Sequence, residues 1–157
     1  MSLSLLPTST PQPVMAAETC ERVVTFSRAS IAEFARLTGD ANPLHFDPEA
    51  AARAHHGRII ASGQQTTSSL IGLAATHFAR RCERFAREVL CLNFNFAFKA
   101  PVFADDALHL SWQVNTVEWH PRLEGWLAHA DGKAVSHARV CVVGRGTLLV
   151  KARDLGL

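Results

Sequence analysis

The period of the apolar residues changes once along this chain, near residue 89, and that change limits the fold more than any other feature. Before it, Gln64 to Arg81 runs without proline and with little charge until its end; Leu70, Ala74 and Phe78 share a face with Ile71 and Ala75, as on one long helix. Thr66, Thr67, Ser68 and Ser69 keep its first half small, so other backbone can approach closely. After the change, Leu90, Leu92, Phe94, Phe96 and Phe98 alternate with Cys91, Asn93, Asn95 and Ala97, the pattern of a strand with one apolar face. Further strands are predicted at Leu108–Val117, Leu123–His129 and Ala134–Val143. Asp131-Gly132 reads as a hairpin turn, and Gly144-Arg145-Gly146 as a bend or break before Leu148-Leu149-Val150. Helices gathered first and strands afterwards predict an α+β domain, its antiparallel sheet cradling the long helix.

The segment before the long helix is punctuated by turns. Val23-Val24-Thr25-Phe26 predicts a first strand. Ser30-Ile31-Ala32-Glu33 fits a capping box and opens a short helix with Ile31, Phe34, Ala35 and Leu37 as its apolar stripe, ended by Gly39. Asn42-Pro43 forbids an immediate new helix, because the residue before proline avoids the α region. Asp47-Pro48-Glu49 then predicts one, with Asp47 as cap, running through Ala54 and stopping near Gly57.

The chain has 157 residues, enough for one domain with a hydrophobic core. Residues 1–20 read as a disordered or extended tail, rich in Ser, Thr and Pro and lacking a basic stretch before Leu5-Leu6; residues 21–157 read as the domain. A net charge of +2 gives no strong field toward nucleic acid or a membrane surface, and no apolar run approaches a membrane span. Cys20, Cys82, Cys91 and Cys141 are widely spaced. They read as reduced thiols and small core residues in a cytoplasmic setting. The chain has no P-loop, GxGxxG or zinc-ligand spacing. The side chains of the adjacent His55 and His56 are expected to point apart on a surface loop, so no metal is assigned.

Chemistry concentrates in Gly39-Asp40-Ala41-Asn42-Pro43-Leu44-His45. A tight turn on either side can bring the Asp40 carboxylate and the His45 imidazole toward one small volume, where the pair can hold a water and move its proton. Spacing alone leaves a second reading open, in which Asp40 closes an Asx-turn and His45 packs at the surface.

The stretch from Phe34 to Asp47, Phe-Ala-Arg-Leu-Thr-Gly-Asp-Ala-Asn-Pro-Leu-His-Phe-Asp, resembles the hydratase-2 signature of MaoC-like (R)-specific enoyl-CoA hydratases. The similarity continues through Arg58–Gly63 and Phe96–Val102. The resemblance implies a hot-dog fold, an antiparallel sheet wrapped around a long central helix, and homodimers joined edge to edge. It implies that Asp40 and His45 hold the water that adds to C3 of a trans-2-enoyl-CoA and return a proton to C2. The product is an (R)-3-hydroxyacyl-CoA, or the reaction runs in reverse as a dehydration. It implies that Asn42 shapes the loop, and that the Gly63 N–H binds the thioester oxygen. The helix-start position of Gly63 supports that role independently, since its amide is an unpaired donor at the positive end of the dipole. No cofactor is expected beyond coenzyme A carried by the substrate.

The sequence departs from the family where Ser62 precedes Gly63 and Gln64-Gln65 follow it. These three, with Asn42, are assigned to substrate binding, with one glutamine expected to face the acyl end and the other the protein. Lys99, Arg58 and the arginines Arg80, Arg81 and Arg84 are candidates for the coenzyme A phosphates. Two other readings keep the fold: an acyl-CoA thioesterase, disfavoured because Gln64 to Cys82 holds no Asp or Glu, and a non-catalytic acyl-thioester-binding protein.

Overall fold

A computed structural model describes residues 11–81 and 85–154; the first ten residues, Cys82 and Arg84 lie outside the described part. The order is β1 (Thr19–Thr25), α1 (Arg28–Thr38), a single 3-10 turn (Pro43–His45), α2 (Pro48–Arg53), α3 (Gly63–Phe78), β2 (Phe85–Phe98), β3 (Ala107–His120), β4 (Gly125–Ser136) and β5 (Arg139–Asp154). The strands form one five-stranded sheet in the order β1-β3-β4-β5-β2, antiparallel throughout. Helix α3 contacts all five strands. This is the hot-dog arrangement implied by the resemblance.

What lets the sheet close on the helix is a layer of aromatics seated on glycines. Trp112 of β3 lies across Gly132, where an added Cβ would sit 2.7 Å from its ring, and its indole N–H donates to the Leu70 carbonyl of α3 at 2.7 Å. The Phe94 and Phe96 rings pack against Trp112 with centroids 5.5 and 6.3 Å away, in the space left by Gly146 and Gly144. Leu108, Leu110, Val114, Ala128, Ala130, Val142, Leu148 and Val150 complete the sheet side of the core, and Leu70, Leu73, Ala74 and Phe78 the helix side.

Two expected turns are therefore strand. Asp131-Gly132 lies inside β4, in register with Gln113-Trp112 and Arg145-Gly144, and Gly144 and Gly146 continue β5 without a break. These glycines serve ring packing rather than chain reversal. The reversal between β4 and β5 falls at His137-Ala138, both at positive φ.

Several residues before position 21 pack against the domain. Val14 is completely buried, the Ala17 N–H donates to the Val114 carbonyl at 2.8 Å, and Thr19 and Cys20 belong to β1. The α1 cap is Ser27 rather than Ser30: the Ser27 hydroxyl accepts from the Ser30 N–H, so Ser30 is already helical. Cys20 and Cys141 are buried as expected, and burial pushes the Cys20 thiol up to about 11; Cys91 is exposed instead, on the edge strand β2. The His55 and His56 rings do not point apart but meet edge to face, 5.0 Å between centroids. Among the described residues, no helix is long and apolar enough to cross a membrane.

Candidate active site

The loop that carries Asp40 and His45 is built by three successive local rules. Gly39 ends α1 in the left-handed conformation, φ 72°, which glycine adopts without steric cost, and the Asp40 N–H then donates to the Ala35 carbonyl at 2.8 Å. Asp40 Oδ1 accepts from the Asn42 N–H at 3.0 Å, an Asx-turn. Asn42 is extended, as a residue before proline must be. That conformation also suits an N-cap, so its Oδ1 accepts from the Leu44 N–H at 3.2 Å and starts the 3-10 turn at Pro43. The predicted break is thus one turn long and carries His45 inward.

The two oxygens of Asp40 face different partners. Oδ1 closes the Asx-turn, while Oδ2 lies 3.4 Å from His45 Nε2. The His45 side chain is 6% exposed and that of Asp40 24%, so the pair is sheltered but reachable. His45 Nδ1 lies 2.7 Å from the Ile60 carbonyl oxygen. A carbonyl can only accept, so Nδ1 carries a proton; whenever the ring is neutral, Nε2 is an acceptor facing a second acceptor. A water donating one hydrogen to each completes such a pair, and its oxygen then points a lone pair outward.

The same contact ties the pair to the start of α3. Ile60 leads to Ser62, and the segment is pinned by a short antiparallel pairing with the β2–β3 connection: Ala61 N–H to Val102 O at 2.8 Å, and Ala104 N–H to Ile59 O at 3.1 Å. Ser62 caps α3, its side chain accepting from the Gln65 N–H and its carbonyl from the Gln65 and Thr66 N–H groups. Gly63 is the first helical residue. Its N–H lies outside these cap bonds, at the positive end of a 16-residue helix. A Cβ at Gly63 would overlap the Phe98 ring, which would have to turn aside, a steric feature the sequence alone did not show.

The remaining predicted residues divide. Gln65 is buried and Gln64 exposed, so each glutamine has its own environment. Lys99 is exposed and directly follows Phe98, the residue whose ring meets Gly63. Arg58 is already engaged, paired with Asp106 at 3.1 Å and lying 4.5 Å over the Phe103 ring. Arg80 and Arg81 lie past the far end of α3, which at 1.5 Å per residue is about 24 Å long; the fold does not bring them to Gly63.

A sheet curled around one helix, with a carboxylate and an imidazole converging beside that helix's first turn, defines a hot-dog domain with a polar site at the helix mouth. The profile of the MaoC-like domain family matches residues 10–123, and the chain belongs to that family. A stretch of 92 residues is 32% identical to the (R)-specific enoyl-CoA hydratase of Aeromonas caviae, spanning 59% of this chain and 64% of that relative. The solved (R)-hydratase of A. caviae superposes with a TM-score of 0.76 at 24% identity, covering 88% of this chain and 98% of that one. The unliganded R-hydratase of Pseudomonas aeruginosa gives 0.72 at 20% identity, covering 90% and 85%. At these identities the structural likeness speaks for the fold.

Proposed function

We propose that this chain hydrates a trans-2-enoyl-CoA to the (R)-3-hydroxyacyl-CoA, or catalyses the reverse dehydration. The observation that carries the proposal is the convergence of His45 Nε2 and Asp40 Oδ2 at 3.4 Å, one held by the Ile60 carbonyl and the other by the Asx-turn. Water held between them forms its O–C3 bond as a proton leaves it for the pair. Charge moves through the enoyl system to the thioester oxygen, where the Gly63 N–H is the donor. The pair then delivers a proton to C2, closing the balance without oxidant or reductant. A fixed donor at such an oxyanion is worth roughly 3 kcal/mol of barrier. Asn42 and Ser62 set the two turns, and Gln64 and Gln65 border the acyl group. No resident cofactor is needed. Free thiols at Cys20, Cys91 and Cys141 accord with a reducing, cytoplasmic setting.

Assembly follows from the sheet edge. Strand β2 is a 14-residue edge with Leu90, Leu92 and Phe98 exposed at 53, 47 and 60%, and such edges are normally paired or covered. We propose a symmetric homodimer joined along β2, the edge next to Gly63.

The test is an assay of crotonyl-CoA and longer enoyl-CoAs, following loss of the conjugated enoyl thioester absorbance. Turnover by the native protein and its loss in Asp40→Asn support the reading. Equal rates in the two proteins, or none in either across the panel, reject it.

A further inference from the structure

The side chain of Gln65 ends in an unanswered acceptor. Gln65 is 7% exposed, and its amide nitrogen points to the Ser30 carbonyl of α1 at 3.5 Å. That carbonyl fixes the orientation of the amide, because the reverse placement would set two oxygens against each other. Oε1 then has no hydrogen-bond partner in its buried position. Leaving such a group unpaired is costly, and an apolar side chain of similar size would avoid the cost. Its neighbour Gln64 is exposed, and the cap bonds of Ser62 go to backbone, so neither relieves it.

We infer that Gln65 Oε1 accepts a hydrogen bond from the acyl group of the substrate, and that this site selects enoyl thioesters carrying a hydroxyl or amide N–H away from the reacting carbons. The inference rests on the hydratase reading for the placement of the thioester at Gly63. Gln65 shares the first turn of α3 with Gly63, and its amide reaches the opening turn of α1, whose other end carries Asp40. At about 1.5 Å per residue, the stretch from Ser30 to Asp40 spans about 15 Å. The donor therefore belongs several atoms beyond C3, not next to it. Because the orphan is an acceptor, a substrate ending in a carboxylate, itself an acceptor at neutral pH, does not satisfy it. Sequence reasoning left the two glutamines equivalent; burial separates them, and the Ser30 contact decides which polar group the ligand must supply.

The experiment measures binding and turnover separately. Saturated acyl-CoAs matched in length, with a terminal methyl or a terminal hydroxyl, are titrated calorimetrically into the full chain, Gln65→Leu and Gln65→Met. The corresponding enoyl-CoAs are assayed for hydration. The native protein is expected to favour the hydroxyl ligand, and both variants to shift the affinity ratio toward the methyl ligand by about tenfold, the equivalent of one ordinary hydrogen bond. Melting temperatures are expected to stay level or rise, since the substitutions remove an unpaired buried group. An unchanged ratio in whichever variants fold overturns the inference, whatever the hydration assay gives. If neither variant folds, Gln65 is a structural residue and the inference is overturned too. A shifted ratio without hydration of any enoyl-CoA rejects the hydratase reading and leaves the Gln65 contact standing.

Discussion

The two ends of α3 are built from the same kinds of residue and have been put to opposite uses. At the C-terminal end, His77 and Arg87 both bond the Glu18 carboxylate, at 2.9 and 2.8 Å, and the Met15 N–H adds a bond at 3.2 Å. Only the Arg87 Nε is left over. At the N-terminal end, Asp40 and His45 face each other as acceptors, the Gly63 N–H lies outside the cap bonds and Gln65 Oε1 has no partner. A closed set of charges holds the N-terminal segment to the helix and the edge strand. The unfinished set is where we propose that a ligand supplies the missing atoms. What separates the clasp from the candidate site is how fully its carboxylate is bonded: Glu18 takes bonds from Arg87, His77 and Met15, whereas Asp40 Oδ2 meets only the His45 ring.

The largest expected effect comes from emptying the unfinished end. Asp40→Asn and His45→Ala should each lower hydration by on the order of 100- to 10,000-fold, as loss of a general acid–base group does. The melting temperature should move little, because the Asn42 N–H can still bond an amide oxygen in Asp40→Asn. A large fall in melting temperature alongside lost activity would place these residues with the clasp.

Gly63→Ala is expected to cost less than outright loss of an oxyanion donor, which runs to roughly 100- to 1,000-fold. The added methyl strikes the Phe98 ring, but that side chain is 60% exposed and can turn aside. Phe98→Ala in the Gly63→Ala background should therefore recover part of the turnover. No recovery would show that the methyl acts on the donor itself.

The clasp should respond in stability and not in chemistry. Glu18→Gln is expected to cost about 1–3 kcal/mol of unfolding free energy, the range for breaking a buried polar contact, with turnover unchanged below the melting point. It should also flatten the acid limb of the stability curve. Burial alone would raise the Glu18 pKa, yet the bonds from Arg87 and the Met15 amide, the Arg87 charge and the His77 bond together leave it lowered. A carboxyl lowered on folding contributes stability above its ordinary range near 4.3 and loses it as pH falls through the folded value. Thermal melts of both proteins from neutral pH down to about 3 would read the difference.

The smallest effect separates the two ends by ligand affinity. Lys99→Ala should raise the KM for an acyl-CoA a few-fold, the scale of an exposed ion pair, whereas Arg80→Ala at the far end should leave it alone. Equal effects would mean that the coenzyme A moiety does not lie across the Lys99 side of the helix start.

The sequence disclosed this architecture unevenly, for physical reasons. Features governed by neighbours in the chain were legible: Gly39 as a left-handed stop, Asp47 and Pro48 as a helix start, and the Asp40–His45 turn. The single apolar face expected for β2 was not, because a register shift between Cys91 and Asn93 turns Val89, in place of Leu90, toward the core with Phe94 and Phe96. Features governed by distant partners were not. Asp131-Gly132 has the composition of a turn but lies in a strand because Trp112 covers Gly132, and His137-Ala138 turns without any turn-forming residue. Val14 and Glu18 sit in a segment whose composition suggests a loose tail, and only Val114, His77 and Arg87 show why it is held. At the site, the twin glutamines were visible but could not be told apart without their burial.

The central claim is that Asp40 and His45 act on one shared water, and a double-mutant cycle on enoyl-CoA hydration tests it most directly. Groups acting on the same proton transfer are not additive, so Asp40→Asn/His45→Ala should be little slower than the slower single variant. If the two losses multiply instead, each residue works independently and the shared-water geometry is wrong.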